Sequence, residues 1–154
     1  MTTIVVQGGA VRVVTTGTPA PAQVIRTGTV SASTPDSTTS QRVTNVALGG
    51  HRVVRQTATG PDYADCGVLL HQENILGLTT GAAAAGALVT IQRDGEIIEP
   101  SWNWLAGLVF LGHNGLLTQT LPSSPDSAFI QAIGFSTAPQ TLYVALRDPI
   151  TMKD

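Results

Sequence analysis

Three histidines, one cysteine and ten carboxylates are the side chains here that could do acid–base, nucleophilic or metal chemistry. Cys66 and His71 begin a spacing that zinc sites use, but no second cysteine or neighbouring histidine completes the set. His51, His71 and His113 therefore read as surface or hydrogen-bonded side chains. The carboxylates come in two close pairs. Asp62 and Asp65 lie in a turn-like stretch, and Glu96 and Glu99 stand three apart in a strand-like one, so they face opposite sides. Glycoside chemistry needs two carboxylates across one cleft, and turn and edge placement explains both pairs without it. No G-x-S-x-G elbow, P-loop or post-strand G-x-G-x-x-G occurs. The expectation is a chain with no catalytic residue, no metal and no cofactor: not an enzyme.

The remaining chemistry-bearing feature is "EPSWNWLAGLVFLGHNGLLTQTLP", which holds both tryptophans, Trp102 and Trp104. In a strand, residues two apart share a face, so the two rings would stand together. Such a pair can fill a core or barrel end, form a subunit contact, or offer a platform to a sugar. Its neighbours are Pro100, Ser101 and Asn103, followed by an apolar hairpin, which favours packing or a subunit contact over a sugar site.

Short β-type segments must position these residues. From residue 46 onward, "HRVVRQT", "ENILGLTT", "ALVTIQR", "EIIEP", "LVFLG", "LLTQT", "FIQAIGF" and "TLYVALR" alternate with turn signals. In "TLYVALR", Leu142, Val144 and Leu146 alternate with Tyr143, Ala145 and Arg147, the period of a half-buried strand. Asp94-Gly95 and Asn114-Gly115 predict hairpin turns, because type I′ turns need φ > 0 at both central residues. "GAAAAG" is too short for a stable helix and reads as a turn between strands. The fold class is all-β: a compact barrel or sandwich of about seven or eight short strands.

Residues 1–45 differ in composition. Ten of the nineteen residues from 27 to 45 are Ser or Thr, a segment that cannot bury enough apolar surface to offset its ordering entropy. Upstream, "TTIVVQ" and "AVRVVTT" carry Ile4, Val5, Val6, Val11, Val13 and Val14, more β-branched surface than a frayed terminus needs. The division is thus an extended arm and linker over 1–45 and a β domain over 46–154, with the six arm residues as docking candidates.

Charged residues make up only 12% of the chain, about half the usual share. That suits a surface covered by partners. No basic cluster marks a nucleic-acid footprint, and no apolar run approaches a membrane span. One cysteine and a start without a basic, apolar leader point to a protein used without secretion.

In order and spacing, "HRVV", "ILGLTTGAAAAGALVTIQRDGEIIEPSWNW", "VFLGHNGLLTQTLP", "FIQAIGFSTAPQTLYVAL" and "DPI" resemble a β domain of tailed-phage capsid decoration (cement) and head-fibre proteins. The resemblance spans about residues 46–150. It implies a trimeric or otherwise oligomeric module on the virion head, assembled in the host cytoplasm, with the major capsid protein as partner. It supplies no catalytic residues. The arm has no Gly-X-Y period, so a collagen-like stalk is not expected, which favours a close-lying cement protein over a projecting fibre. The alternative is a head- or tail-fibre module that holds host glycan through Trp102 and Trp104.

Overall fold

The computed structural model describes the backbone of three strands in the first 37 residues, and residues 38–153 with their side chains. The chain divides into two compact units, Met1–Asp36 and Ser37–Asp154. In the first, β1 (Thr2–Gln7), β2 (Ala10–Thr15) and β3 (Gln23–Arg26) form a sheet in the order β2-β1-β3. β2 runs antiparallel to β1 with Val13 opposite Ile4, and β3 runs parallel to it with Val24 opposite Ile4. The two β-branched segments are therefore strands, and they pair with each other. The docking candidates Ile4, Val5 and Val6 fall in β1, and Val11, Val13 and Val14 in β2; their side chains lie outside the described residues.

The second unit is all-β. Its strands are β4 (Thr39–Val43), β5 (Val53–Thr57), β6 (Gly60–Tyr63), β7 (Ile75–Thr79), β8 (Leu88–Gln92), β9 (Asp94–Ile98), β10 (Gly107–Leu111), β11 (Leu117–Thr118), β12 (Phe129–Ile130), β13 (Ala132–Ala138), β14 (Thr141–Ala145) and β15 (Ile150–Thr151). Sheet I has the order β4-β8-β7-β5-β6, sheet II has the order β11-β10-β13-β14-β9, and β12 pairs with β15 in a ribbon. Both large sheets are antiparallel throughout.

Three expectations need correction. The linker was placed as far as residue 45, yet Thr39–Val43 is an edge strand paired with β8. Its mostly exposed side chains explain why composition concealed it. The strands are also more numerous than seven or eight, because several have only two residues and lie below the length at which alternation can be read. Finally, Asp94-Gly95 does not close a hairpin. β8 belongs to sheet I, while β9 pairs with β14 in sheet II, Gly95 opposite Val144. Gly95 has φ 96°, so its backbone needs glycine at a crossing between sheets rather than in a turn. The second turn is as expected. Asn114 (φ 53°) and Gly115 (φ 72°) are both left-handed and join β10 to β11.

The core sits between the sheets. Val53 and Leu78 from sheet I meet Ile97, Val109, Leu111, Ile133, Leu142 and Val144 from sheet II, with Phe129 of β12 among them. A second, smaller cluster joins Val54, Val89 and Ile91 on the other face of sheet I to Leu48, with Leu76 and Ala83 packed against it. The Gly/Ala stretch is the turn expected of it: Ala83 forms a bridge with Leu48 and so closes that face. β5 feeds both clusters by simple alternation of Val53 and Val54, and a bulge in β7, where Leu76 is the extra residue between Ile75 and Gly77, lets Leu76 join one cluster and Leu78 the other.

Candidate interaction surface and polar cluster

Trp102 and Trp104 come together, though not by the geometry of a strand. Residues 99–106 form a connection after β9, and the N–H of Trp102 closes a turn by donating to the Glu99 carbonyl at 3.0 Å. The N–H of Trp104 donates to the Pro139 carbonyl at 2.8 Å, which ties the connection to the β13–β14 turn. The rings lie 5.5 Å apart, tilted by 56°, and the His51 ring meets Trp102 edge-on at 5.1 Å. Both indoles are half-buried and pack on the larger core cluster. The Nε1 of Trp104 is buried and has no hydrogen-bond partner. His51 also faces Glu99, Nδ1 to Oε2 3.4 Å. The Ser101 N–H, with His51 adding, holds the Glu99 carboxyl below its ordinary value. This is an aromatic corner built mainly for area. Its two tilted rings do not offer one flat face of the kind a sugar ring stacks on.

Around that corner lies the outward face of sheet II. Residues directly opposite in paired strands point the same way. Register therefore places Glu96, Tyr143, Phe135 and Leu108 in one row across β9, β14, β13 and β10. Phe135 and Tyr143 stack at 5.3 Å. Phe135 remains 37% exposed, Leu108 51%, Ile98 67% and neighbouring Leu105 78%. Glu96, whose Oε1 accepts from the Thr137 hydroxyl at 3.5 Å, is the ionisable carboxylate of that row. Leu105 is held in place by a reciprocal pair: its N–H donates to Gln119 Oε1 at 3.0 Å, and Gln119 Nε2 donates back to its carbonyl at 2.7 Å. Apolar side chains gathered on one exposed face are a candidate interaction surface.

A polar cluster lies elsewhere, where the chain leaves β6 and meets the β10–β11 turn. His113 Nδ1 is 2.9 Å from Asp65 Oδ1 and 3.9 Å from Cys66 Sγ, which in turn is 3.4 Å from Ser127 Oγ. The N–H groups of Gly67 and Asn114 donate to the two Asp65 oxygens at 2.8 and 2.9 Å. The Asp65 N–H donates to His71 Nδ1 at 3.1 Å. Burial pushes the Asp65 carboxyl up, but these N–H groups and the His113 ring together outweigh it and leave it below its ordinary value. Burial, and then the Asp65 charge, raise the Cys66 thiol. A protonated thiol is a poor nucleophile. Moreover, His113 meets both neighbours through the same nitrogen, whereas a relay uses opposite ones.

The structure thus unites Trp102 and Trp104 as expected of the pair, but on a connection rather than a strand. Of the carboxylate pairs, Asp62 lies within β6 and faces Arg55 at 4.0 Å, while Asp65 turns to His113. Cys66 acquires a histidine neighbour, but it is His113, 47 residues away. No local spacing could have revealed that: the ring is brought there by backbone bonds between the two segments, the Cys66 N–H donating to the Gly112 carbonyl and the Gly115 N–H to the Ala64 carbonyl. Comparison with known proteins finds no family model that matches the chain and no curated protein that matches it.

Proposed function

We propose that this chain is a structural phage-head protein that decorates the outside of an icosahedral capsid and stabilises it by binding across seams between major capsid protein subunits. The resemblance of residues 46–150 supports the head location. The observation that carries self-association is the bare row on sheet II, Tyr143, Phe135 and Leu108, extended by Ile98 and Leu105. The carboxylates of that face, Glu96 and Asp94, both stand on its edge strand β9, so Tyr143, Phe135 and Leu108 form an uncharged surface. It suits copies of the same chain, a trimer being the favoured assembly.

Binding to the assembled shell but not to its dissociated parts stabilises the shell by mass action. Several anchors on one oligomer raise the effective concentration of each. The N-terminal unit supports anchoring, because β2 and β3 are the outer strands of its sheet among the described residues, and an outer strand is where a neighbouring strand can add.

The test is co-sedimentation of the chain with shells assembled from the major capsid protein encoded alongside it, followed by cryo-EM of the decorated particles. Deleting residues 2–16 is expected to abolish shell binding while the β domain stays folded. Unchanged binding overturns the docking role of the first unit. Glycan binding that is lost on Trp102→Ala, with no affinity for shells, moves the protein to the fibre reading.

A further inference from the structure

We propose that Asp65, Cys66 and His113 form a binding site for a thiophilic divalent cation of the zinc class, with three protein donors and a fourth position open to solvent. One carboxylate oxygen, one sulfur and one imidazole nitrogen lie within 4.8 Å of one another. A tetrahedral zinc ion with bonds of about 2.3 Å to sulfur and about 2.0–2.1 Å to nitrogen and oxygen sets S···N near 3.6 Å and N···O near 3.4 Å. The observed separations are 3.9 and 2.9 Å, with sulfur and carboxylate oxygen within 4.8 Å, so side-chain rotation has to draw the thiol toward the other two donors for all three to meet one ion.

Three further features point to a ligand. The donors are oriented from behind, as metal ligands are: Gly67 and Asn114 N–H hold the carboxylate, and Ser127 Oγ sits beside the sulfur. Position 67 is glycine where space is short. A Cβ there would lie 3.1 Å from Asp65 Oδ1, 3.2 Å from His113 Cε1 and 3.1 Å from the Asp126 carbonyl, so a side chain would crowd the donors. Finally, Cys66, only 2% exposed, and His113 both line a cavity of about 400 Å³, with Asp126 and Ser127 on the same wall. The cavity gives the ion a route in and leaves room for a water or a partner's donor at the fourth position.

On binding, the Cys66 S–H proton leaves to solvent. The His113 ring gives up its Nδ1 proton and takes one at Nε2. The two halves of the site come from different sheets: Asp65 and Cys66 follow β6 of sheet I, and His113 follows β10 of sheet II. The ion would therefore act as a clasp between them.

Cobalt(II) is the probe for the whole chain, since a thiolate–cobalt charge-transfer band and the d–d bands of a tetrahedral ion report sulfur ligation directly. One equivalent of cobalt should produce both, and zinc should displace it. Zinc should also raise the melting temperature, and a chelator should reverse the rise. His113→Ala, an exposed position, should weaken zinc by at least the roughly 100-fold that loss of a mere supporting group can reach. Cys66→Ser should remove the charge-transfer band. His51→Ala, whose ring faces Glu99 and Trp102 instead, should leave binding unchanged. A folded protein that shows no charge-transfer band at saturating cobalt overturns the proposal. So does zinc affinity that survives His113→Ala, which would place the ion elsewhere.

Discussion

The two large sheets have the same strand number and the same antiparallel pairing, yet they are finished differently. Sheet I is covered twice. Val53 and Leu78 face sheet II, while Val54, Val89 and Ile91 face Leu48 and the folded-back Gly/Ala turn. Sheet II is covered once. Its inner residues Val109, Ile133, Leu142 and Val144 are buried, but its outer row is left in contact with water. Among the described residues of the second unit, one sheet thus has a cover on its far face and the other does not. An antiparallel sheet can leave one face solvated, but that face is then normally polar. Here it carries Leu108, Phe135 and Ile98.

The largest effects should come from the shared core, where the sheets are equivalent. Leu78→Ala in sheet I and Leu142→Ala in sheet II, both fully buried in that core, should each cost about 2–5 kcal/mol of unfolding free energy by denaturant titration, at any protein concentration. Trp104→Ala should follow. The ring is half-buried, so the loss should reach up to about 3 kcal/mol, below the value of a fully enclosed aromatic. A loss that grows on dilution would assign the corner to a subunit contact, and strong iodide quenching of both indoles in the assembled protein would reopen the sugar platform.

Gly115→Val should cost roughly 1–3 kcal/mol. The residue is left-handed, and a Cβ would lie 2.7 Å from the Val53 carbonyl of sheet I. Gly95→Val should cost less. Its Cβ would meet only the movable end of Gln92, at 3.3 Å. Equal melting temperatures for the two variants would show that φ alone governs both sites.

Phe135→Ser sharpens the contrast. The ring is partly exposed but stacks on Tyr143, so monomer stability should fall by about 1 kcal/mol, while sedimentation shows the proposed oligomer dissociating at a higher concentration than the parent. If neither quantity moves, sheet II is not the subunit interface.

The smallest effect concerns pH. Burial, and then Arg55, lower the His71 pKa from its ordinary 6.5, and its Nδ1 accepts the Asp65 N–H. An imidazolium has no lone pair to accept with. The stability this contact adds is therefore complete above about pH 6.5 and is lost as pH falls through the lower folded value. A melting temperature that is flat over that range in the parent, or equally sloped in His71→Ala, would remove the contact from the account.

Much of the fold was legible in the sequence because one face of most strands is buried, and alternation records that fact. "TLYVALR" is the clearest case: Leu142 and Val144 are fully buried, with Thr141, Tyr143 and Ala145 between them only partly so. The Asn114-Gly115 hairpin was legible because its φ requirement is local. Asp94-Gly95 misled for the same reason: turn chemistry reports a local backbone need and not the sheet to which the next strand goes. β4 left no pattern because neither of its faces is buried. The Asp65–Cys66–His113 cluster joins positions that only tertiary structure brings near, so spacing could not disclose it.

The crossing at Gly95 has a consequence in time. All of sheet I comes from residues 39–92 and all of sheet II from residues 94–145. A chain emerging from the ribosome can therefore finish pairing its first sheet while the second is still being made. During that interval Val53 and Leu78 lack their partners in sheet II, whose inner strands can begin to pair only once β13 has been made to join β10. Such a half-built layer sticks to its neighbours. The seam at Gly95 sets how long each nascent chain spends in that exposed state. Hydrogen exchange on chains arrested just beyond residue 92 measures it: protected amides in β5, β7 and β8 are the expected result, and their absence would mean that both sheets form together.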